Sequence, residues 1–146
     1  IHNLRAEAKT KGVDPDRLVF AKFAPERKDH LSRLRLADLF LDTPHYNAHA
    51  TAADALWAGV PVLTVLGDTF AGRVAASQLN AAGIPELIVQ SNEMYYQKAL
   101  ELAKNPELLS SIRSKLEANR FEAPLFNSKQ YTQDLEQIYL DLTKAS

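Results

Sequence analysis

The sequence predicts an α/β fold of the Rossmann-like type, in which a three-layer arrangement places a parallel sheet between helices. Short apolar segments of strand character alternate four times with segments of helical character. The connections between them are short, which favours parallel strands joined by helical crossovers. All glycines lie at or before Gly83, so we expect the last part of the chain to form long, uninterrupted helices.

The composition is typical of one globular domain. The chain has 146 residues, of which 46% are hydrophobic and 24% charged, enough to bury most of its apolar surface. Lys and Arg number 17 against 18 Asp and Glu, a balance that predicts no binding to nucleic acid or to an anionic membrane. The absence of Cys excludes disulfides, thiolate metal sites and cysteine nucleophiles. No signal peptide or membrane-spanning run is recognisable, so we expect a cytoplasmic protein.

The first part of the chain contains two predicted helices and two predicted strands. The first helix covers 3–11 and ends at Gly12. A β-branched and aromatic run over 17–22 predicts a buried strand. A second helix opens at 24–26, and the apolar residues within 38–42 predict a second strand.

The alternation then continues into a helical last part. In chain order we expect a helix over 50–58, a strand over 61–65, a helix over 70–82 and a strand over 86–89. Gly59 and Gly83 follow the two helices and mark their ends. Ser91 and Asn105 are expected to begin the next two helices, over 91–104 and 107–119, before a final helix over 128–143.

The most informative segment follows the second predicted strand. Thr43 to Thr51 is a run of mainly small and polar residues that leads directly into a helix. Ligands of open parallel sheets bind beyond the carboxyl ends of the strands, and the free N–H groups of a helix start attract phosphate. Thr51 adds a hydroxyl donor and His49 an imidazole donor, although His49 also fits a loop or capping role.

Asp54 lies about one turn into the same predicted helix. Its carboxylate suits the paired hydroxyls of a ribose, and it is equally compatible with a partner of the helix dipole. His30, on another predicted helix, is by itself an ordinary surface or partly packed histidine. His45 and His49 are four residues apart but lie in a loop, so they predict no metal pair. The residues alone therefore predict an anion- or nucleotide-binding α/β domain with no metal and no resident cofactor.

Several long motifs carry a resemblance to a known family. Residues 41–62 read LDTPHYNAHATAADALWAGVPV, and residues 67–77 read GDTFAGRVAAS. Together with PLFNSKQY at 124–131, they resemble the C-terminal catalytic lobe of O-linked N-acetylglucosamine transferases. The resemblance runs in the same order through nearly the whole chain, from about residue 17.

The resemblance implies a GT-B glycosyltransferase, in which two Rossmann-like lobes hold a nucleotide sugar mainly in the C-terminal lobe. Residues 1–146 would be a single domain that forms part of this lobe and ends in several helices. The chain begins at Ile1 rather than Met, and we expect an N-terminal lobe and tetratricopeptide repeats to lie outside it. The implied donor is UDP-GlcNAc, transferred with inversion to Ser or Thr of acceptor proteins without a metal ion or other cofactor.

By the same resemblance, the donor-binding residues are Ala24, His30, Arg33, His49, Ala50, Thr51 and Asp54. The first alanine matches one whose backbone contacts the uracil, the histidine that follows matches one that stacks on it, and the arginine falls at a basic position near the nucleotide. The next three residues match a stretch that holds the diphosphate, and Asp54 matches an aspartate that binds the ribose.

Two residues depart from the family pattern. Ala50 stands where a threonine is expected, which removes a hydroxyl contact worth about 0.5–1.5 kcal/mol but leaves the backbone N–H. Glu26 stands where a lysine is expected. The family's diphosphate-binding lysine and catalytic histidine have no counterpart here, so the resemblance implies no catalytic residue in this chain and no turnover by the chain alone.

Two alternatives stay open. The first keeps the family and changes the donor, because related enzymes use GDP-fucose and bacterial relatives glucosylate asparagine. The second is a degenerate, non-catalytic nucleotide-binding or interaction module, in which the apolar residues within 131–142 form an interface instead of closing the core.

Overall fold

The computed structural model describes residues 1–144, which contain seven α-helices and three β-strands. The helices are α1 (His2–Thr10), α2 (Arg27–Leu34), α3 (Ala50–Trp57), α4 (Val74–Ala81), α5 (Asn92–Lys104), α6 (Pro106–Asn119) and α7 (Ser128–Lys144). The strands are β1 (Phe40–Leu41), β2 (Val62–Val65) and β3 (Ile88–Val89). Two compact units divide the chain, Ile1–His30 and the residues from Leu31 onward. A single domain over 1–146 stays a prediction.

The second unit contains a parallel sheet in the order β1-β2-β3. The paired residues are Phe40 with Val62, Leu41 with Leu63, Thr64 with Ile88 and Val65 with Val89. All residues of β2 are buried, as expected for a central strand that is covered on both faces. The predicted parallel α/β class is confirmed.

Two apolar clusters lie against β2. Leu63 and Val65 pack with Val89 of β3 and with residues of α5. Val62 belongs to the larger cluster, which includes Leu56 of α3, Leu79 of α4 and Leu116 of α6. Successive residues of a strand point to opposite faces, so helices cover the sheet from both sides and produce the three predicted layers.

The predicted strand over 17–22 is wrong. Pro15–Arg17 forms a 3-10 turn, and residues 18–26 adopt neither helix nor strand. Val19 is 88% exposed and Phe23 90% exposed, so these apolar side chains are not buried as a core strand requires. Strand composition alone is not sufficient, because a strand needs a hydrogen-bonded neighbour and residues 1–30 contain no other strand. The described sheet therefore has three strands where four were expected.

Local signals placed most helix ends correctly. Gly59 and Gly83 follow α3 and α4 with φ of 81° and 75°, a conformation that favours glycine. α4 begins at Val74, later than predicted, because residues 67–72 form a tight turn in which the Gly67 N–H donates to the Gly72 carbonyl at 2.8 Å.

The starts of α5 and α6 are capped by the two residues that the sequence indicated. Ser91 Oγ accepts from the Met94 N–H at 3.2 Å, and Asn105 Oδ1 accepts from the Leu108 N–H at 3.0 Å. The final helix extends to Lys144, close to its predicted end. Among residues 1–144, no helix combines the length and apolar character that crossing a membrane requires. A cytoplasmic location stays a prediction.

Candidate functional site

The segment from Thr43 to His49 connects β1 to α3 at the carboxyl edge of the sheet, where open parallel sheets bind ligands. Asp42, directly after β1, is only 3% exposed. Its Oδ1 accepts from the Ala48 N–H at 2.7 Å, and its Oδ2 accepts from Thr64 Oγ1 at 2.6 Å. The buried carboxylate therefore joins the central strand to the residue that precedes the helix start.

Tyr95 of α5 holds Asp42 from a further side. Its phenol donates to the Asp42 carbonyl oxygen at 2.9 Å. Burial, and secondarily the negative charge of Asp42, raise the pKa of Tyr95 to about 12. The phenol therefore stays protonated at neutral pH and remains a hydrogen-bond donor to this carbonyl.

Asn47 is fully buried and connects the segment to the turn after β2. Its backbone N–H donates to the Ala71 carbonyl at 2.9 Å, and its Nδ2 donates to the Thr43 carbonyl at 3.1 Å. Its Oδ1 is buried and has no hydrogen-bond partner among the described residues. A buried acceptor of this kind calls for an explanation, of which a bound polar group is one.

The N-terminus of α3 has no side-chain cap. His49 is the N-cap residue, yet its side chain makes no capping hydrogen bond. Ala50 and Thr51 are exposed, and the first N–H groups of an α-helix have no acceptor within the helix. Ser91 and Asn105, in contrast, cap the starts of α5 and α6. The α3 start therefore combines available N–H donors with the positive end of a helix dipole, which favours an anion.

Two exposed aromatic rings flank His49. Tyr46 stacks on the imidazole with ring centroids 5.0 Å apart, and Phe70 meets it edge-on at 6.2 Å. His49 Nε2 is buried without a hydrogen-bond partner in the described part of the chain. The His49 carbonyl accepts from Gln78 Nε2 of α4 at 3.0 Å. Aromatic packing therefore surrounds the imidazole while α4 holds the backbone.

A cleft of about 370 Å³ opens at the same edge of the sheet. It is lined by residues that follow each strand, among them His45 after β1, Thr69 after β2 and Gln90 after β3. A larger cavity of about 840 Å³ lies beside β1 and is lined mainly by apolar residues of α5 and α6. The smaller cleft lies at the polar carboxyl edge and borders the segment before α3, but none of the seven predicted donor-binding residues lines either cavity.

The structure brings together four of the seven predicted donor-binding residues. His49, Ala50 and Thr51 form the start of α3, and the half-buried Asp54 follows within the same helix. Residues three and four positions apart lie on one face of a helix, so Asp54 shares a face with Ala50 and Thr51.

The other three predicted residues lie earlier in the chain. Ala24 is in the irregular segment before α2, His30 is within α2, and Arg33 is in its last turn. Ala24 and His30 belong to the first compact unit and Arg33 to the second. The donor-binding roles of all seven residues stay predictions.

Residues 1–144 contain no group of three or more His, Asp or Glu side chains that could hold a metal ion. The residues that hold the segment before α3 were not predicted from the sequence; they are Asp42, Asn47, Thr64, Gln78 and Tyr95. Thr64 carries a usable signal, because a hydroxyl within a fully buried strand must find a hydrogen-bond partner. The contacts of Gln78 and Tyr95 join distant parts of the chain, and no local pattern indicates them. Asp42 and Asn47 bond within residues 42–48, but nothing in the sequence marks these two polar residues as buried.

Comparison with known proteins identifies related sequences over nearly the whole chain. Residues 1–135 match the family model described as Glycosyl transferase family 41. The UDP-N-acetylglucosamine--peptide N-acetylglucosaminyltransferase of Caenorhabditis elegans is 38% identical over 136 residues, which are 93% of this chain and 12% of that protein. The probable UDP-N-acetylglucosamine--peptide N-acetylglucosaminyltransferase SEC of Arabidopsis thaliana is 40% identical over 139 residues, or 94% of this chain and 14% of that protein.

A solved structure is similar in fold as well as in sequence. A mutant of the Thermobaculum terrenum O-GlcNAc transferase superimposes with a TM-score of 0.86 at 32% identity. The match covers 94% of this chain and 26% of the solved one. The chain thus spans 12% and 14% of the length of the two curated relatives.

Proposed function

Because the chain belongs to glycosyl transferase family 41, we propose that it is the donor-binding part of a glycosyltransferase. The donor is UDP-GlcNAc, and the acceptors are Ser or Thr hydroxyls of proteins. The relatives are named for UDP-N-acetylglucosamine as donor and a peptide as acceptor, and the solved one for O-linked transfer, which supports this donor and a hydroxyl acceptor on proteins. The proposal also agrees with the GT-B lobe architecture that the solved relative shares with this chain.

The uncapped start of α3 is the observation that carries the proposal. A diphosphate bound there accepts hydrogen bonds from the N–H groups of Ala50 and Thr51. The helix dipole contributes about 0.3–1 kcal/mol to the binding of such an anion, and up to about 2 kcal/mol where the site is partly buried. Each charge-assisted hydrogen bond contributes about 1.5–3 kcal/mol. Ala50 takes part through its backbone alone, so the missing threonine hydroxyl weakens the site without removing it.

The other predicted residues are assigned to the diphosphate, the ribose and the uracil of the donor in turn. Thr51 adds its hydroxyl to the diphosphate, and Asp54 accepts hydrogen bonds from the ribose hydroxyls. Ala24 and His30 contact the uracil, and Arg33 supplies positive charge near the nucleotide. Glu26, which stands where a lysine is expected in the family, contributes no favourable charge to this set.

The α3 start also suits the chemistry of the leaving group. Transfer of the sugar leaves negative charge on the departing UDP, and fixed N–H donors aimed at that charge stabilise the transition state. No residue of this chain activates the acceptor hydroxyl in the proposal. Residues 1–146 therefore bind the donor without transferring it, and another part of the protein completes the active site.

Calorimetric titration of the chain with UDP and with GDP tests the proposal, using Asp54→Ala as the variant. We expect UDP to bind in preference to GDP, and Asp54→Ala to weaken UDP binding by about 1–3 kcal/mol, the loss expected for a charge-assisted hydrogen bond. Asp141→Ala, which removes an exposed carboxylate of α7, is the matched control and should bind UDP like the unmodified chain.

The same titrations separate the alternatives. Preference for GDP would indicate a transferase with another donor. Absence of binding to either nucleotide would contradict the proposal and favour an interaction module. For that module the supporting observation is the set of exposed apolar side chains on α7, namely Tyr131, Ile138, Tyr139, Leu140 and Leu142.

A further inference from the structure

The buried carboxylate of Asp42 has no role in the nucleotide contacts proposed above. Burial of a charged group is unfavourable unless hydrogen bonds compensate for the lost hydration. Both oxygens of Asp42 are compensated, one by the Ala48 N–H at 2.7 Å and the other by Thr64 Oγ1 at 2.6 Å. The fold therefore stabilises a carboxylate at this buried position, and one of its two hydrogen bonds goes to the residue before the N-cap of α3.

Asp42 is itself fixed to the sheet and to α5. Its N–H donates to the Leu63 carbonyl of β2 at 3.0 Å, and its carbonyl accepts from the Tyr95 phenol at 2.9 Å. The Thr64 hydroxyl holds one carboxylate oxygen from the same strand. These bonds fix the position of the other carboxylate oxygen, Oδ1, which accepts the hydrogen bond from the Ala48 N–H.

Ala48 directly precedes His49, the N-cap of α3. The contact between Asp42 and Ala48 closes a loop across six positions of the chain and ends one residue before the helix. It fixes where α3 begins relative to the sheet. A site whose donors are already in place loses less conformational entropy when its ligand binds.

We infer that Asp42 is a positioning residue of the donor site: through the Ala48 N–H it sets the start of α3, where the diphosphate binds, and it does not touch the donor. This inference rests on the proposed function. The charge of Asp42 supports an indirect role, because a carboxylate close to a bound diphosphate would repel it. Asp42 therefore contributes to the donor site through its hydrogen bond to the Ala48 N–H, which positions the start of α3, and not through its charge.

Two substitutions at this position separate the hydrogen bond from the charge. Asp42→Asn keeps an oxygen that can accept from Ala48 and removes the charge, so UDP affinity should stay within roughly threefold of the unmodified chain. Asp42→Ala removes the acceptor and should weaken UDP binding by roughly tenfold or more, measured per folded molecule. Asp38→Ala, at the opposite end of the same strand region and largely exposed, is the matched control.

Calorimetry with UDP gives the affinities, and circular dichroism on the same samples gives the folded fraction of each variant. Amide hydrogen exchange of Ala48 should become fast in Asp42→Ala and stay slow in Asp42→Asn. Rescue by asparagine of both affinity and amide protection is the result expected for positioning. Equal UDP affinity of folded Asp42→Ala and the unmodified chain would overturn the inference, and so would an Asp42→Asn variant as weak as Asp42→Ala.

The unmodified chain provides a second test that does not depend on the folding of Asp42→Ala. Added UDP should shift the amide resonances of Ala50 and Thr51, while the Ala48 amide keeps its slow exchange and its bond to Asp42. A donor that takes the Ala48 N–H for itself would overturn the inference. If the chain binds no UDP, both the proposed function and this inference are contradicted. If the chain binds UDP and substitution of Asp42 does not change the affinity, only this inference is contradicted.

Discussion

Tyr95 shows how a single side chain couples the carboxyl edge of the sheet to α5. Its phenol donates to the backbone of Asp42, 53 positions earlier in the chain. The raised pKa of about 12, above the ordinary 10.0, means that the folded state favours the protonated phenol. The protonated phenol of Tyr95 therefore contributes its full stabilisation of the folded state below about pH 10, and this contribution is lost as the pH rises through 12.

We therefore expect the free energy of unfolding to fall more steeply between pH 10 and 12 for the unmodified chain than for Tyr95→Phe. At neutral pH, Tyr95→Phe should cost about 1 kcal/mol, the usual contribution of a hydrogen bond. Urea unfolding at a series of pH values measures both effects. Tyr96→Phe, at the exposed neighbouring tyrosine, is the control, and equal pH profiles for the Tyr95→Phe variant and the unmodified chain would contradict the assignment.

The candidate site was predictable from single residues only where they act on near neighbours. The polar run that leads into α3 indicated a candidate anion site, because the free N–H groups and the dipole at a helix start favour an anion. Several of the residues that hold this run act over longer distances, as in the contact of Thr64 with Asp42, 22 positions earlier. No local pattern encodes such a pairing, so only the folded structure could reveal it.

The connection between β2 and α4 depends on two glycines that lie against each other. The Gly67 N–H donates to the Gly72 carbonyl at 2.8 Å, and a Cβ added to Gly67 would lie 3.1 Å from the Gly72 Cα. A side chain at Gly67 therefore requires the backbone of Gly72 to move away by a few tenths of an ångström. The turn matters for the site because its residue Ala71 accepts from the Asn47 N–H.

Gly67→Ala should lower the free energy of unfolding by about 1–3 kcal/mol, the usual cost of overpacking a close contact. Thermal unfolding followed by circular dichroism measures this loss. The matched control is Asp68→Ala at the exposed neighbouring position, which should change stability by no more than about 0.5 kcal/mol. An unchanged transition for Gly67→Ala would mean that the turn opens without cost.

Helices and strands differed in how well the sequence predicted them. Ser91 and Asn105 marked the starts of α5 and α6 because a capping side chain bonds to an N–H only three residues away. The strand expected over 17–22 failed because a strand is completed by a neighbour that local composition does not specify. β2 was predicted correctly, and its burial on both faces agrees with a run in which Thr64 is the one polar residue among β-branched and aliphatic ones.

The distribution of buried side chains over the molecule is uneven. Within residues 1–144, every buried residue lies between Asp42 and Leu116, in the second unit. Residues 1–30 form a compact unit of their own, but contain no buried side chain. The buried core therefore lies in the second unit, whereas Ala24 and His30, the two residues proposed to contact the uracil, belong to the first unit.

Deletion of residues 1–25 should consequently change the free energy of unfolding of the remaining chain by no more than about 1 kcal/mol, because no buried side chain is removed. The same deletion removes Ala24 and should weaken UDP binding severalfold, about 0.5–1.5 kcal/mol for one lost hydrogen bond. Denaturant unfolding and calorimetry on one preparation measure the two quantities. If the deletion variant binds UDP as tightly as the full chain, the proposed contact of Ala24 with the nucleotide is contradicted.

The contrast between buried and exposed residues around His49 has an evolutionary consequence. Tyr46 and Phe70 are 66% and 83% exposed, whereas Asp42 and Asn47, which hold the backbone beneath them, are almost completely buried. Substitutions at the exposed rings should cost little folding stability, whereas substitutions at the buried pair remove hydrogen bonds that hold the backbone. A lineage could therefore vary the chemistry at the mouth of the proposed donor site and inherit its backbone unchanged. These two rings are the natural positions for a library that tests whether the proposed site can take other nucleotide sugars.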